Sequence, residues 1–527
     1  MKLPLISLIL LSLQANAQYT FNKLNLAATA KDTSKGFHAA WFRSFGNKMI
    51  FAGSDHLPFS SIPDNTSPYL SDGSTSGTTV ITPSAINIKI KKIIGTINNS
   101  GKNLAIFLPG ENSNVDRSNP WVTDGTPSGT FMLKNIIPER LDEISILDNK
   151  VFFPAAPSFP NNKSDLWVTD GTIAGTQIVK DIYPGGKTTS INIIAVDTAS
   201  KRLYFGGDIA GGKQSLWVTD GTNAGTVMIK DFPPGEGPGS GIIYNGKLLF
   251  VAKDASHGGE LWTSDGTSSG TYMVKDINPG TANGVGSLTS SNTIVFKNKL
   301  LFVGSDANNN AELWTTDGTQ SGTVMLNDIN PGSVGSYPYN FTLYNEHVYF
   351  IATDAVHGKE IWKTDGNTVQ LFKDMNTSGS SKPFIVKVFN KHLFFIATNL
   401  YNQCELFYTN GTDTGTYMIR PYNNAYSAIS HASSYIEYNN KLFFCAPYDG
   451  FGGQFDIWYI QDSVLALHEG LLQQRTNNIT LYPNPAHHNF TLKASTAFKA
   501  GSVTLTDVTG RVVKTEKLFS NEQAIPL

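Results

Sequence analysis

Carboxylates and histidines are the side chains in this sequence whose types and spacing point to chemistry. An Asp-Gly pair recurs at Asp72, Asp124, Asp170, Asp220, Asp265, Asp317 and Asp365. Gathered on one rim of a fold, such carboxylates have the oxygen chemistry for Ca2+, with backbone carbonyls completing the shell. Each occurrence supplies one acidic position where a calcium loop needs several, so turn capping is the expected role and no cofactor is expected. His257 and His357, in SHGGELW and VHGKEIW, each stand three residues before a glutamate and invite a metal reading. They are 100 positions apart, so they read better as turn residues, and no metal is expected. His487 and His488, after Pro485, read as a solvated turn. No G-x-S-x-G, H-E-x-x-H, phosphate loop or Cys-x-x-Cys stands out as a catalytic signature. No catalytic residue is assigned, and the ligand-binding residues are unknown from sequence.

Residues 1–17 carry Lys2, an apolar run from Leu3 to Leu13 and Ala15-Asn16-Ala17, which reads as a secretory signal peptide cleaved before Gln18. No later stretch reaches the ~20 apolar residues of a membrane helix. Forty Lys plus Arg face 42 Asp plus Glu, so there is no basic field for nucleic acid. Cys404 and Cys445 form a disulfide or are two small buried hydrophobes; spacing does not separate the two.

The elements that must position these groups are repeats. DLWVTDGTIAGTQIVKD, SLWVTDGTNAGTVMIKD, ELWTSDGTSSGTYMVKD and ELWTTDGTQSGTVMLND are near copies. Their aromatic recurs as Tyr69, Trp121, Trp167, Trp217, Trp262, Trp314, Trp362, Phe407 and Trp458, in steps of about 49 residues, the length of a four-stranded propeller blade. Within a unit, a strand near 241–244 precedes KLLFVAKD, ELWTSD and TYMVKD, all short alternating or apolar runs bounded by Gly, Asn, Pro and Asp. The 48 Gly and 25 Pro suit many tight turns, and 31 Phe with 20 Tyr supply a core. D-G-T-x-x-G-T reads as a hairpin lock. Asp265 accepts backbone N–H bonds two residues on, Gly266 and Gly270 permit positive φ, and the hydroxyls of Thr267 and Thr271 satisfy loop amides. Asp170, Gly171, Asp220, Gly221, Asp317 and Gly318 take the same roles.

A four-stranded sheet this small must stack radially to bury both faces, with the recurrent Trp between blades. The expected fold is all-β: a single β-propeller of eight or nine four-stranded blades over residues 18–470. FNKLNLAATAKDT (21–33) looks like a fourth strand that completes the last blade beside VLALHE (464–469). Residues 471–478 read as a linker, followed by a small, incomplete β-sandwich module at 479–527, where alternation at Val503, Leu505 and Val508 supports a strand.

Two resemblances follow from these motifs. The tandem sentence resembles the ELWxxDGT, or hyalin-like, repeat of exported bacterial proteins, across residues ~37–470. Tyr482-Pro483-Asn484-Pro485 and Asp507-Val508-Thr509-Gly510-Arg511 resemble the type A C-terminal sorting domain of the type IX secretion system, read here as truncated at NEQAIPL. That likeness implies the type IX machinery as a partner and a secreted, extracellular or outer-membrane surface location.

Together these readings give an exported, non-catalytic scaffold that binds a glycan or protein ligand through its variable loops: 56–67, 111–119, 156–164 and 448–456. Those loops are either a polar binding surface or plain solvated turns. The rivals are a propeller enzyme of polysaccharide lyase or hydrolase type and a structural surface-layer component.

Overall fold

The computed structural model describes residues 19–24, 38–54, 66–81, 90–109, 119–139, 144–157, 164–185, 190–209, 213–308, 310–398, 404–419, 435–447 and 455–462, and, near the C-terminus, 479–482, 489–494, 501–506, 512–518 and 522–526. All regular structure among them is strand.

Nine blades form a closed ring, which settles the choice between eight and nine. The fifth is representative: Pro238–Tyr244, Lys247–Ala252, Glu260–Ser264 and Tyr272–Lys275 pair antiparallel in chain order. The third differs in that its inner strand is split into Ile137–Pro138 and Ser145–Leu147, both paired with Lys150–Ala156. The middle strands are buried on both faces, as their continuous apolar runs require.

The register shows which side chains build the ring. In every blade the repeat aromatic of the third strand stands opposite a phenylalanine of the second: Phe51 and Tyr69, Phe107 and Trp121, Phe153 and Trp167, Phe205 and Trp217, Phe250 and Trp262. Phe302 and Trp314, Phe350 and Trp362, Phe395 and Phe407, and Phe444 and Trp458 continue the series. All nine phenylalanines are fully buried, so they, more than the tryptophans, fill the interblade space. Each pair packs on the preceding blade: Phe250 and Trp262 lie against Tyr204, Leu216 and Val218. Nine such clusters follow one another around the ring, one at each interface. Stacking neighbours therefore supplies the core that no blade has alone.

Closure comes from the N-terminal strand. Tyr19–Leu24 pairs residue for residue with the facing part of Phe455–Asp462 and becomes the fourth, outer strand of the ninth blade. The expected completing role is seen for residues 21–24, but they pair with 457–460 rather than with 464–469; residues 25–33 and 464–469 lie outside the described residues. Leu24 enters the cluster that joins the ninth blade to the first, with Phe42, Phe51, Phe443 and Ile457. Across the same seam the Tyr438 hydroxyl donates to the carbonyl of Asn47. Tyr244 and Tyr344 make equivalent bonds to Asn298 and Lys391 of their next blades, 2.5 and 2.9 Å.

The C-terminal residues form two small sheets. Asn489–Ala494 pairs with both Ile479–Tyr482 and Glu522–Pro526, and Gly501–Thr506 pairs with Val512–Leu518. Pro483, Asn484, Pro485, Asp507, Gly510 and Arg511, the signal region 1–17 and the linker 471–478 lie outside the described residues, as do His487 and His488.

Candidate functional site

The D-G-T turns, written D-G-S in the first blade, D-G-N in the seventh and N-G-T in the eighth, stand at one end of every blade from the first to the eighth. In the fifth, Thr267 donates to Asp265 Oδ1 from both its backbone N–H (2.9 Å) and its hydroxyl (2.7 Å). The Gly270 N–H donates to Thr267 Oγ1 at 3.0 Å. Thr271 donates its hydroxyl to the Thr267 carbonyl at 2.7 Å and also lies 2.7 Å from Ser264 Oγ. Ser264 Oγ accepts the Gly266 N–H at 3.1 Å. The same bonds tie Asp170 to Thr172, Asp220 to Thr222 and Asp317 to Thr319. In the eighth blade Asn410 takes the aspartate's place.

Three details differ from the sequence reading. Gly266 takes φ +91°, as do Gly171 (+85°), Gly221 (+90°) and Gly318 (+87°), but Gly270 does not adopt positive φ. Its constraint is space, because a Cβ there would lie 2.1 Å from Asp265 Oδ1. Thr271 serves a carbonyl rather than an amide. The residue before the aspartate, Ser264 here and Thr169, Thr219 or Thr316 elsewhere, takes the Gly amide; the sequence reading passed over it. A Gly270→Ala substitution is expected to destabilise the protein by about 1–3 kcal/mol, the scale of a lost buried hydrogen-bond network. Thermal unfolding with amide exchange at Thr267 checks this, and an unchanged Tm would refute it.

The hydroxyl of Thr267, ahead of its backbone N–H, holds the Asp265 carboxyl below the usual carboxylate range. Asp220 and Asp317 are lowered in the same way by Thr222 and Thr319. Each of these carboxylates serves its own turn. No group of three or more His, Cys, Asp or Glu able to hold a metal occurs among the described residues.

The opposite ends of the blades carry a buried acid that the sequence reading noted only as a neighbour of His257 and His357. Glu260, Glu312 and Glu360, the first letter of ELW or EIW, are fully buried. Glu260 accepts the N–H groups of Ile277 (2.7 Å) and Gly284 (2.8 Å), from the connection to the sixth blade. Glu312 accepts those of Ile329 and Ser336, and Glu360 those of Met375 and Ser381. Each carboxylate therefore fastens one blade to the segment leading into the next. The signal was its recurrence at the head of a fully buried strand, where a charged side chain must find partners.

His257 Nδ1 lies 2.8 Å from Asp254 Oδ1, and its Nε2 lies 3.9 Å from Asp276 Oδ2. His357 Nδ1 lies 2.7 Å from Asp354 Oδ2. The histidines cap loops beside the buried glutamates. The backbone of Cys404 pairs with Thr398 in the eighth blade and that of Cys445 with Ile457 in the ninth; their side chains lie outside the described residues. The variable loops fall largely at 55–65, 110–118, 158–163 and 448–454, also outside the described residues.

Burial pushes Glu260 up to about 6, Glu360 up to about 7 and Glu312 upward. Hydrogen bonds donated by the ring N–H to the carboxylates of Asp254 and Asp354 raise His257 and His357. A carboxyl with a raised folded-state pKa binds its proton more tightly in the ring than in the unfolded chain, so stability grows as pH falls from 7 toward the unfolded value. A histidine with a raised pKa contributes fully below its unfolded value and loses that contribution as pH rises. Both effects have one sign. The Tm is expected to rise from about pH 8 to about pH 5.5, with Glu360→Gln flattening the slope. A Tm that falls over this interval would contradict the assignment.

Residues 480–527 match the family described as the secretion system C-terminal sorting domain. No curated protein matches the sequence. Among solved structures the chain is similar to puromycin hydrolase, with 11% identity and a TM-score of 0.36 over 72% of this chain and 61% of that one. It is also similar to a puromycin-hydrolyzing peptidase of Mycobacterium tuberculosis, with 9% identity, a TM-score of 0.35 and coverage of 74% and 60%. Oligopeptidase B from Leishmania major gives 10% identity and a TM-score of 0.36, with coverage of 69% and 53%. The chain spans about three fifths of the length of the first of these, and likeness at this level carries no argument about activity. A nine-bladed β-propeller followed by a type IX sorting domain makes this an exported protein of the cell surface or its surroundings.

Proposed function

We propose that this is a non-catalytic propeller of the ELWxxDGT, or hyalin-like, kind, acting at the cell surface or outside the cell as a binding or adhesion scaffold. The type IX machinery would engage the C-terminal module, and a glycan or protein would be the ligand. The observation that supports this is how the repeat uses its polar groups. Asp265 is spent on its turn, Glu260 on the next blade and His257 on Asp254, so the recurring sentence acts as a joint. Recognition is left to the surfaces between and beyond the joints.

The test is an array of glycans and polysaccharides with the purified full chain, reading both retained protein and newly released reducing ends. Retention without release supports a binding scaffold. Release would overturn the non-catalytic reading in favour of a polysaccharide-cleaving propeller. Neither signal, with protein ligands also negative, would favour a purely structural surface component.

A further inference from the structure

Between the second and third blades, on the face that carries the D-G-T turns, lies a groove of about 520 Å3. That falls within the range of small-ligand sites. Asn99, Lys102, Asp124, Ser128, Phe131 and Thr172 line it. Phe131 follows Thr130, which is turned inward and bonded to Thr123, 2.7 Å between hydroxyl oxygens. Alternation along the outer strand then turns the Phe131 ring outward, and it is 38% exposed. The walls are fixed, because the Asn99 amide donates to the Asp170 carbonyl of the third blade at 2.9 Å. The Asp124 carboxylate lies over Gly129, where a Cβ would come within 2.0 Å of Oδ1. Asp124 Oδ1 serves its turn, accepting the Thr126 N–H (3.0 Å) and hydroxyl (2.6 Å), so Oδ2 is the oxygen offered to the groove.

We infer that this groove is a subsite for a neutral saccharide. A sugar ring has an apolar C–H face and an edge of hydroxyls, and the groove offers the complement of both. The Phe131 ring supplies an apolar surface for the face, while Asp124 Oδ2, Lys102 and Ser128 supply acceptors and donors for the edge. Carboxylate and ammonium stand together there, so no net field selects an anionic sugar.

The ring repeats the key element. Tyr272 follows Thr271 in the fifth blade and Tyr417 follows Thr416 in the eighth, at the register position of Phe131, with exposures of 50% and 37%. Each is three blades on from the last, and in a ring of nine that places the three aromatics a third of a turn apart. Weak single contacts so arranged give avidity for a polymer.

This assignment rests on the binding reading above, and its test separates the two. The full chain is titrated with a panel of neutral oligosaccharides and polysaccharides (β-glucan, α-mannan, galactan), alongside Phe131→Ala, Lys102→Ala and Phe131→Tyr. The exposed position predicts an unchanged Tm for all three. Binding about tenfold weaker in Phe131→Ala and Lys102→Ala, with Phe131→Tyr close to the parent, is the expected result. Tyr272→Ala combined with Tyr417→Ala is expected to reduce retention on polysaccharide further. Parent binding that both alanine variants retain in full would overturn the groove while leaving the scaffold reading intact. A parent that binds none of these saccharides would overturn the saccharide assignment, and retention on a protein ligand would still support the scaffold.

Discussion

Removing Tyr19–Leu24 is expected to open the ring. The strand pairs along its whole length with Phe455–Asp462, and Leu24 sits in the seam between the last and first blades. Its loss exposes a paired edge and strips that seam, so the cost should exceed the ~2–5 kcal/mol of deleting one buried leucine. A chain beginning at Asn25 should show a much lower Tm and, by size-exclusion chromatography, self-association through the bared strand. Adding a peptide of residues 18–24 in trans should restore part of the Tm. A monomer with the parental Tm would show that the ring does not depend on this strand.

The second large effect is at the interblade phenylalanines. Phe250→Ala should cost about 3–5 kcal/mol, the range for emptying a fully buried aromatic site. Its ring is wholly enclosed between the fourth and fifth blades and has no room to relax outward. Trp262→Phe, at the partner position, should cost far less. The Trp262 indole N–H is buried with no protein partner, as are those of Trp121, Trp217, Trp314 and Trp362, whereas Trp167 donates to the Ala155 carbonyl at 3.0 Å. Removing a donor that makes no bond recovers part of the lost packing energy, and Phe407 fills this position in the eighth blade. Urea denaturation of the two variants orders them; Trp262→Phe being the more damaging would reverse the roles assigned here.

The contrast shows how much was legible beforehand. Tryptophan catches the eye in a repeat because it is rare, yet the smaller phenylalanine opposite it is the more completely buried. Strand register, which no spacing within one strand reveals, brings the two together. The Asp-Gly-Thr turn was readable because its bonds join residues at most seven positions apart, and local chemistry fixes them. Even there, Gly270 was misjudged, since its constraint is a carboxylate folded over it rather than its own backbone angle. The Glu260 bonds were hidden for the opposite reason: their partners, Ile277 and Gly284, lie 17 and 24 residues away in an irregular connection.

By itself the sequence determined the unit, the turn and the export module. All three are written in short-range patterns: a repeat of about 49 residues, side-chain bonds within a turn, and motifs in a compact C-terminal segment. Only the tertiary structure decided that the blades number nine, that residues 19–24 close the ring, and that buried glutamates link its blades. It alone set Phe131, Tyr272 and Tyr417 at equal intervals on one rim. The physical reason is that ring closure is a condition on the sum of all blades, met when strand twist and interblade packing bring the last edge to the first.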